Sequence, residues 1–80
     1  MPQLRDSVAI KTLAYNVRKY RMEKDLSMRT LANIMEVEYS QISRIERGVI
    51  NTSVSVIFAI AKALEIKPSQ LLESPPNSNS

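Results

Sequence analysis

The chain has 80 residues, enough for one small domain with a modest core, and its hydrophobic share of 44% is ordinary for a globular protein. A net charge of +3 and a pI near 9.5 suit a nucleic-acid partner without requiring one. Cysteine and histidine are both absent, which excludes disulfides, thiolate or imidazole metal sites and imidazole bases, so no cofactor or metal is expected.

Residues 1–7 read as a flexible lead-in, with Pro2 among polar side chains. They carry charges of both signs and no apolar run, unlike a signal peptide. Nowhere does an apolar run approach the roughly 18 residues of a membrane span. A cytoplasmic protein without a membrane partner is therefore expected. The first helix is predicted over Val8–Lys24, with Asp6 or Ser7 as N-cap and an apolar stripe of Ile10, Leu13, Ala14, Val17 and Tyr20 at spacings of three and four. Ser27 caps a second helix over Met28–Met35. A third spans Tyr39–Arg47 and stops at Gly48, the one glycine of the chain, where a left-handed residue ends a helix.

After the loop Val49–Thr52, Ser53 caps a fourth helix carrying Val54, Ile57, Phe58, Ala61 and Leu64, with Tyr20 and Phe58 expected in the core. Pro68 suits the first turn of a short fifth helix bearing Leu71 and Leu72. Residues 8–73 thus form one compact all-α domain of five helices. The polar, proline-rich residues 74–80 read as a disordered tail.

Function is concentrated in the run LANIMEVEYSQISRIERG, residues 31–48. Leu31, Ala32 and Met35 share one helical face, and Ile42 and Ile45 mark the buried side of the next helix. Only Glu36, Val37 and Glu38 reverse the chain between them. Two short helices joined this tightly, the second polar on its outer side, describe a helix-turn-helix. Such a second helix presents its early residues to the major groove, where each base pair shows a distinct donor and acceptor pattern.

From Leu13 to Leu72 the chain resembles the lambda-repressor-like DNA-binding domain of the Cro and xenobiotic-response-element regulators. The resemblance rests on NVRKYR in the first helix, LSMRTLA entering the second, YSQISRIERG through the third, and IAKALEIKPSQLL near the end. It implies an internal salt bridge between Arg21 and Glu46. It also exposes departures: Glu36 stands at the usual turn glycine, and Asp25 and Glu65 stand where glycine is common. Met28 stands where relatives often carry glutamine, and the loop after Gly48 lacks Lys and Arg.

Tyr39, Ser40 and Arg44 are the expected base-reading residues, Arg44 because a guanidinium can bridge O6 and N7 of guanine. Ser27, Arg29, Gln41, Ser43, Arg47 and Asn51 are expected at the DNA backbone, the first two beside the positive pole of the second helix. Lys11, Lys24, Lys62 and Lys67 read as solvated surface. One domain of this size covers a half-site, so a homodimer on palindromic double-stranded DNA is expected, with Val49, Ile50, Ile66, Leu71 and Leu72 at its interface; one of the last two would close the monomer's own core. No small-molecule effector is evident. The competing reading is a protein-interaction module, such as an antitoxin or adaptor, with DNA binding secondary. An enzyme is disfavoured, since paired carboxylates, a nucleophile–base pair and a phosphate-cradling glycine loop are all missing.

Overall fold

A computed structural model describes residues 5–75. The expected lead-in residues 1–4 and tail residues 76–80 lie outside the described residues. Five helices follow in order, α1 (Ser7–Glu23), α2 (Met28–Met35), α3 (Tyr39–Glu46), α4 (Val54–Leu64) and α5 (Pro68–Leu71), with no strand among the described residues. No helix there is long and apolar enough to cross a membrane.

Four of the five helices begin where a side chain supplies a missing acceptor, α3 being the exception. Asp6 Oδ1 accepts from the amides of Val8 (3.0 Å) and Ala9 (3.1 Å), so α1 starts inside the expected lead-in. Ser27 Oγ accepts from Thr30 N at 3.0 Å, and Ser53 Oγ from Val56 N at 3.2 Å. At α5 the reach runs backwards, Lys67 N donating to Gln70 Oε1 at 2.9 Å, with Pro68 in the first turn.

The first four helices end in one shared motif. A residue in the left-handed conformation donates three residues back, and the next amide donates five back. The pairs are Leu26 N to Arg21 O (3.1 Å), Val37 N to Ala32 O (3.0 Å), Val49 N to Arg44 O (3.2 Å) and Ile66 N to Ala61 O (2.9 Å). The left-handed residues are Asp25 (φ 57), Glu36 (φ 58), Gly48 (φ 69) and Glu65 (φ 58). Only Gly48 escapes a steric cost there. A Cβ on Gly48 would meet Lys11 Cγ and Ala14 Cβ at ordinary contact distances, 3.7 and 3.8 Å, so backbone angle rather than space favours glycine. The residue after each left-handed position is apolar. Leu26, Val37 and Ile66 pack against the core, whereas Val49 is 47% exposed and Ile50 packs in its place.

The core is built from Leu13 and Val17 of α1, Leu31 and Ala32 of α2, Ile42 and Ile45 of α3, Ile60, Ala61 and Leu64 of α4, and Leu71 of α5. Leu71 is fully buried, so its side chain closes the monomer and does not serve the interface expected of it; Leu72 points outward, 58% exposed. Phe58 also departs from expectation. It is 58% exposed, because α4 turns Ile57, Ile60, Ala61 and Leu64 inward and leaves Val54 and Phe58, four residues apart, on its outer side. Tyr20 is half-buried against the core, and its hydroxyl accepts from Gln70 Nε2 at 3.4 Å.

Asn16 is the buried polar side chain of the described core, 3% exposed. Its Nδ2 donates to the carbonyls of Leu71 (2.9 Å) and Glu73 (2.8 Å), which pins the end of the domain to α1. At the surface Lys24 Nζ meets Glu65 Oε1 at 2.9 Å. Their hydrogen bond and charge hold the Glu65 carboxyl below its ordinary value of 4.5. The pair's contribution is therefore present above that value and fades as pH falls through the lowered one.

The left-handed turn between α2 and α3 gives a direct test. Glu36→Gly is expected to raise the unfolding free energy by about 0.5–1 kcal/mol in urea denaturation. Unchanged stability would mean that the glutamate relieves its backbone cost elsewhere.

Candidate nucleic-acid interface

The orientation of α3 follows from its two sides. Ile42 and Ile45 are buried, and at about 100° per residue Ser40, Arg44 and Arg47 fall opposite them. Tyr39 and Ser43 occupy one flank of that outer face and Gln41 the other. Tyr39, Ser40, Arg44 and Arg47 are exposed, and Gln41 and Ser43 are half-buried. The α3 surface thus carries hydroxyl, amide and guanidinium groups on its outer side, and the two isoleucines with the enclosed Glu46 carboxylate toward the domain.

What holds this helix against the domain is Arg21 of α1. Its Nε and Nη2 donate to the two carboxylate oxygens of Glu46, at 2.6 and 2.9 Å, and Nη1 donates to Leu26 O at 2.7 Å. The side chains are only 13% and 6% exposed. This planar fork joins α1, the end of α3 and the turn that leads into α2. The hydrogen bond to Glu46 raises the pKa of the Arg21 guanidinium above its ordinary value, against the burial that would lower it.

Glu46 is therefore not shared with Arg44, and among the described residues Arg44 forms no salt bridge. Arg47 is partly committed, its Nε donating to Ser43 O at 3.4 Å beside the helix end. Asn51 is exposed in the loop between α3 and α4.

Beside α3 lies the start of α2. Ser27 uses its hydroxyl within the helix cap, accepting from Thr30 N and donating to Thr30 Oγ1 at 2.9 Å. The cap thereby takes up the first-turn amide of Thr30. Arg29 crosses to the other helix: its guanidinium carbon lies 5.0 Å from the centre of the Tyr39 ring. Sequence reasoning placed Arg29 and Tyr39 separately and missed this contact, which depends on how α2 and α3 cross. No group of carboxylates that could hold a metal ion occurs among the described residues.

On the α4–α5 side, apolar groups reach solvent. Ile50, Ile57 and Leu72 help to line a shallow hollow of about 100 Å³. Phe58, Ile66 and Pro68 border a wider groove of about 530 Å³. Of the expected interface residues, Val49 and Leu72 are exposed, Ile50 and Ile66 are half-buried against the core, and Leu71 is enclosed.

If the fork fixes α3, then Glu46→Gln, which removes one charge and leaves the guanidinium buried, should cost about 3 kcal/mol of stability by urea denaturation. A loss below about 1 kcal/mol would show that the two isoleucines suffice to hold the helix.

Comparison with known proteins follows the same outline. A helix-turn-helix family model, HTH_3, matches residues 17–71, more than half of the chain. A hypothetical transcription factor, NHTF from Neisseria, is 33% identical with a TM-score of 0.83, over 94% of this chain and 87% of that one. The restriction-modification controller protein C.AhdI from Aeromonas hydrophila is 34% identical with a TM-score of 0.74, over 78% of this chain and 94% of that one. The controller protein C.Esp1396I is 26% identical with a TM-score of 0.76, over 84% and 90%; it has also been solved as a tetramer with its natural 35 base-pair operator. A comparison with curated proteins finds no match. With α2 and α3 forming the helix-turn-helix inside the matched region, the chain belongs to the lambda-repressor-like, Cro/C1-type helix-turn-helix family of transcription regulators.

Proposed function

We propose that this protein regulates transcription by binding a specific sequence of double-stranded DNA, with α3 in the major groove and two copies acting on a palindromic operator. The observation that carries the reading is the outer face of α3. Ser40, Arg44 and Arg47 project from it, opposite a buried stripe that holds the helix rigidly to the domain. A groove-reading helix needs both properties, donors and acceptors outside and a fixed orientation inside. The likeness to transcription factors and controller proteins, one of them solved on its operator, supports the same conclusion.

In this reading Arg44 donates two parallel bonds to a guanine edge, Ser40 contacts a neighbouring base and Tyr39 reads from the flank. Arg47, Gln41, Ser43 and Asn51 lie toward phosphates. The first-turn amides of α2 and Arg29 anchor another phosphate at the positive pole of that helix. Glu36 and Glu38 stand at the edge of this surface and oppose indiscriminate phosphate binding, which favours selectivity over bulk affinity.

Dimerisation follows from the apolar side. Val49 and Leu72, joined by Phe58 and Val54, supply the exposed surface that a two-fold contact would bury. Such a dimer sets its recognition helices about 34 Å apart, one turn of DNA. One observation favours the protein-interaction reading. A groove of about 600 Å³ between α2 and α4 is lined by Leu26, Ile34, Met35, Ala59 and Ala63, with the charged residues Lys24, Lys62 and Glu65 around them.

Selection from random duplex DNA tests the main reading. A palindromic site should be enriched, and Arg44→Ala should relax the preference at one base pair per half-site by about 1–3 kcal/mol. Failure of the wild type to enrich any sequence at low salt would refute it. For the dimer, analytical ultracentrifugation should show wild type in a concentration-dependent monomer–dimer equilibrium, with Leu72→Asp and Phe58→Asp both shifted toward monomer. A wild-type protein that sediments as a monomer even on its selected site would remove the dimer from the mechanism.

A further inference from the structure

We propose that Arg29 positions Tyr39 for base reading: its guanidinium covers one face of the ring and fixes the ring before DNA arrives, and its edge remains to take a phosphate, so that the two side chains read one base pair as a unit. This inference rests on the DNA-binding reading above and goes beyond it, because that reading gives the two residues separate contacts.

The need for such a device is local. Tyr39 is the first residue of α3, and the preceding Glu38 makes no side-chain cap there. The ring is 39% exposed. A tyrosine at an open helix start moves among staggered wells, and freezing it on DNA would cost part of the contact's value. The Tyr39 ring has one cation over it among the described residues, Arg29 from the facing helix, at 5.0 Å and within the range of a cation–π contact.

Arg29 suits both tasks at once. A guanidinium stacks through its flat face and donates through N–H groups that lie in its plane, so stacking on a ring leaves the donors free. No acidic side chain among the described residues forms a salt bridge with it. It is exposed, and it sits in the first turn of α2, where the helix already favours an anion. A phosphate held by that edge would set the distance between the backbone and the base below Tyr39. Lysine could supply the charge but neither the flat face nor the fork, which makes Arg29→Lys a discriminating variant. Both residues are exposed, so the substitutions leave the core intact.

The experiment is selection from random duplex DNA with wild type, Arg29→Lys, Tyr39→Ala and the double variant, joined to NMR of the Tyr39 ring protons in free wild type and free Arg29→Lys. Tyr39→Ala should flatten the preference at one base pair of each half-site. Arg29→Lys should flatten the preference at that same base pair by roughly three- to thirtyfold while keeping the wild-type salt slope. The double variant should be no flatter than Tyr39→Ala alone, and the Tyr39 ring resonances should shift in free Arg29→Lys. A preference unchanged in Arg29→Lys, losses at two different base pairs, or ring resonances unmoved in the free protein would each overturn the proposal. A wild type that enriches nothing instead refutes the DNA-binding reading itself and this inference with it. The two failures are thereby distinguished.

Discussion

The fork between Arg21 and Glu46 is the constraint on which the DNA-facing geometry depends. α3 has only eight residues, too few to persist alone in water, and only Ile42 and Ile45 anchor it from within. Two aliphatic side chains fix the depth of a short helix better than its rotation about its own axis. The bidentate contact supplies that second restraint, because a planar guanidinium meets a carboxylate in one orientation. Taking both charges out of water offsets much of their attraction, so the value of the pair lies in fixing the angle at which α3 leaves the domain. The third bond, from Nη1 to Leu26 O, extends the restraint to the turn before α2. Both halves of the helix-turn-helix are thus referenced to α1.

Around this frame the chain reverses direction by one repeated device. Four helix ends share the same pair of backbone bonds, and three of them place an acidic residue in the left-handed conformation. The bonds satisfy carbonyls that a helix end would leave open, and the apolar residue that follows tucks into the core at three of the four. At the fourth, after Gly48, the valine stays outside and Ile50 enters instead. That one-residue delay leaves Val49 on the surface proposed for a partner copy.

Most of the fold was legible in the residues, for reasons that differ by element. Serine caps, the lone glycine and Pro68 punctuate the backbone through local chemistry, so the starts of α2, α4 and α5 and the stop after α3 needed no tertiary information. The phase of α4 did not yield to spacing. The helix is apolar almost all round, and Val54–Phe58–Ala61 repeats as well as Ile57–Ile60–Leu64 does, so only packing decides that Phe58 faces out. Leu71 and Leu72 posed the same ambiguity in miniature. Asn16 was illegible because a polar residue beside an apolar stripe reads as surface until its carbonyl partners, 55 and 57 residues away, are in place. For the site, the outward residues of α3 followed from periodicity, whereas the contact of Arg29 with the Tyr39 ring required two helices to be set at a known angle.

The amide of Asn16 also bears on the order in which the molecule comes apart. The helix-ending bonds close short stretches of chain, but the bonds from Asn16 to the carbonyls of residues 71 and 73 close almost the whole domain, and closing a loop becomes costlier as it lengthens. α5, with four residues, has little internal strength to hold its place without that clasp. Its release would bare Leu71 and open the core from one end while α2, α3 and the fork stayed assembled. The native state therefore contains a soft edge and a hard one: amide exchange should be fastest in α5 and slowest where α1, α3 and α4 meet, so that local openings of the C-terminal turn leave the groove-facing helix in register.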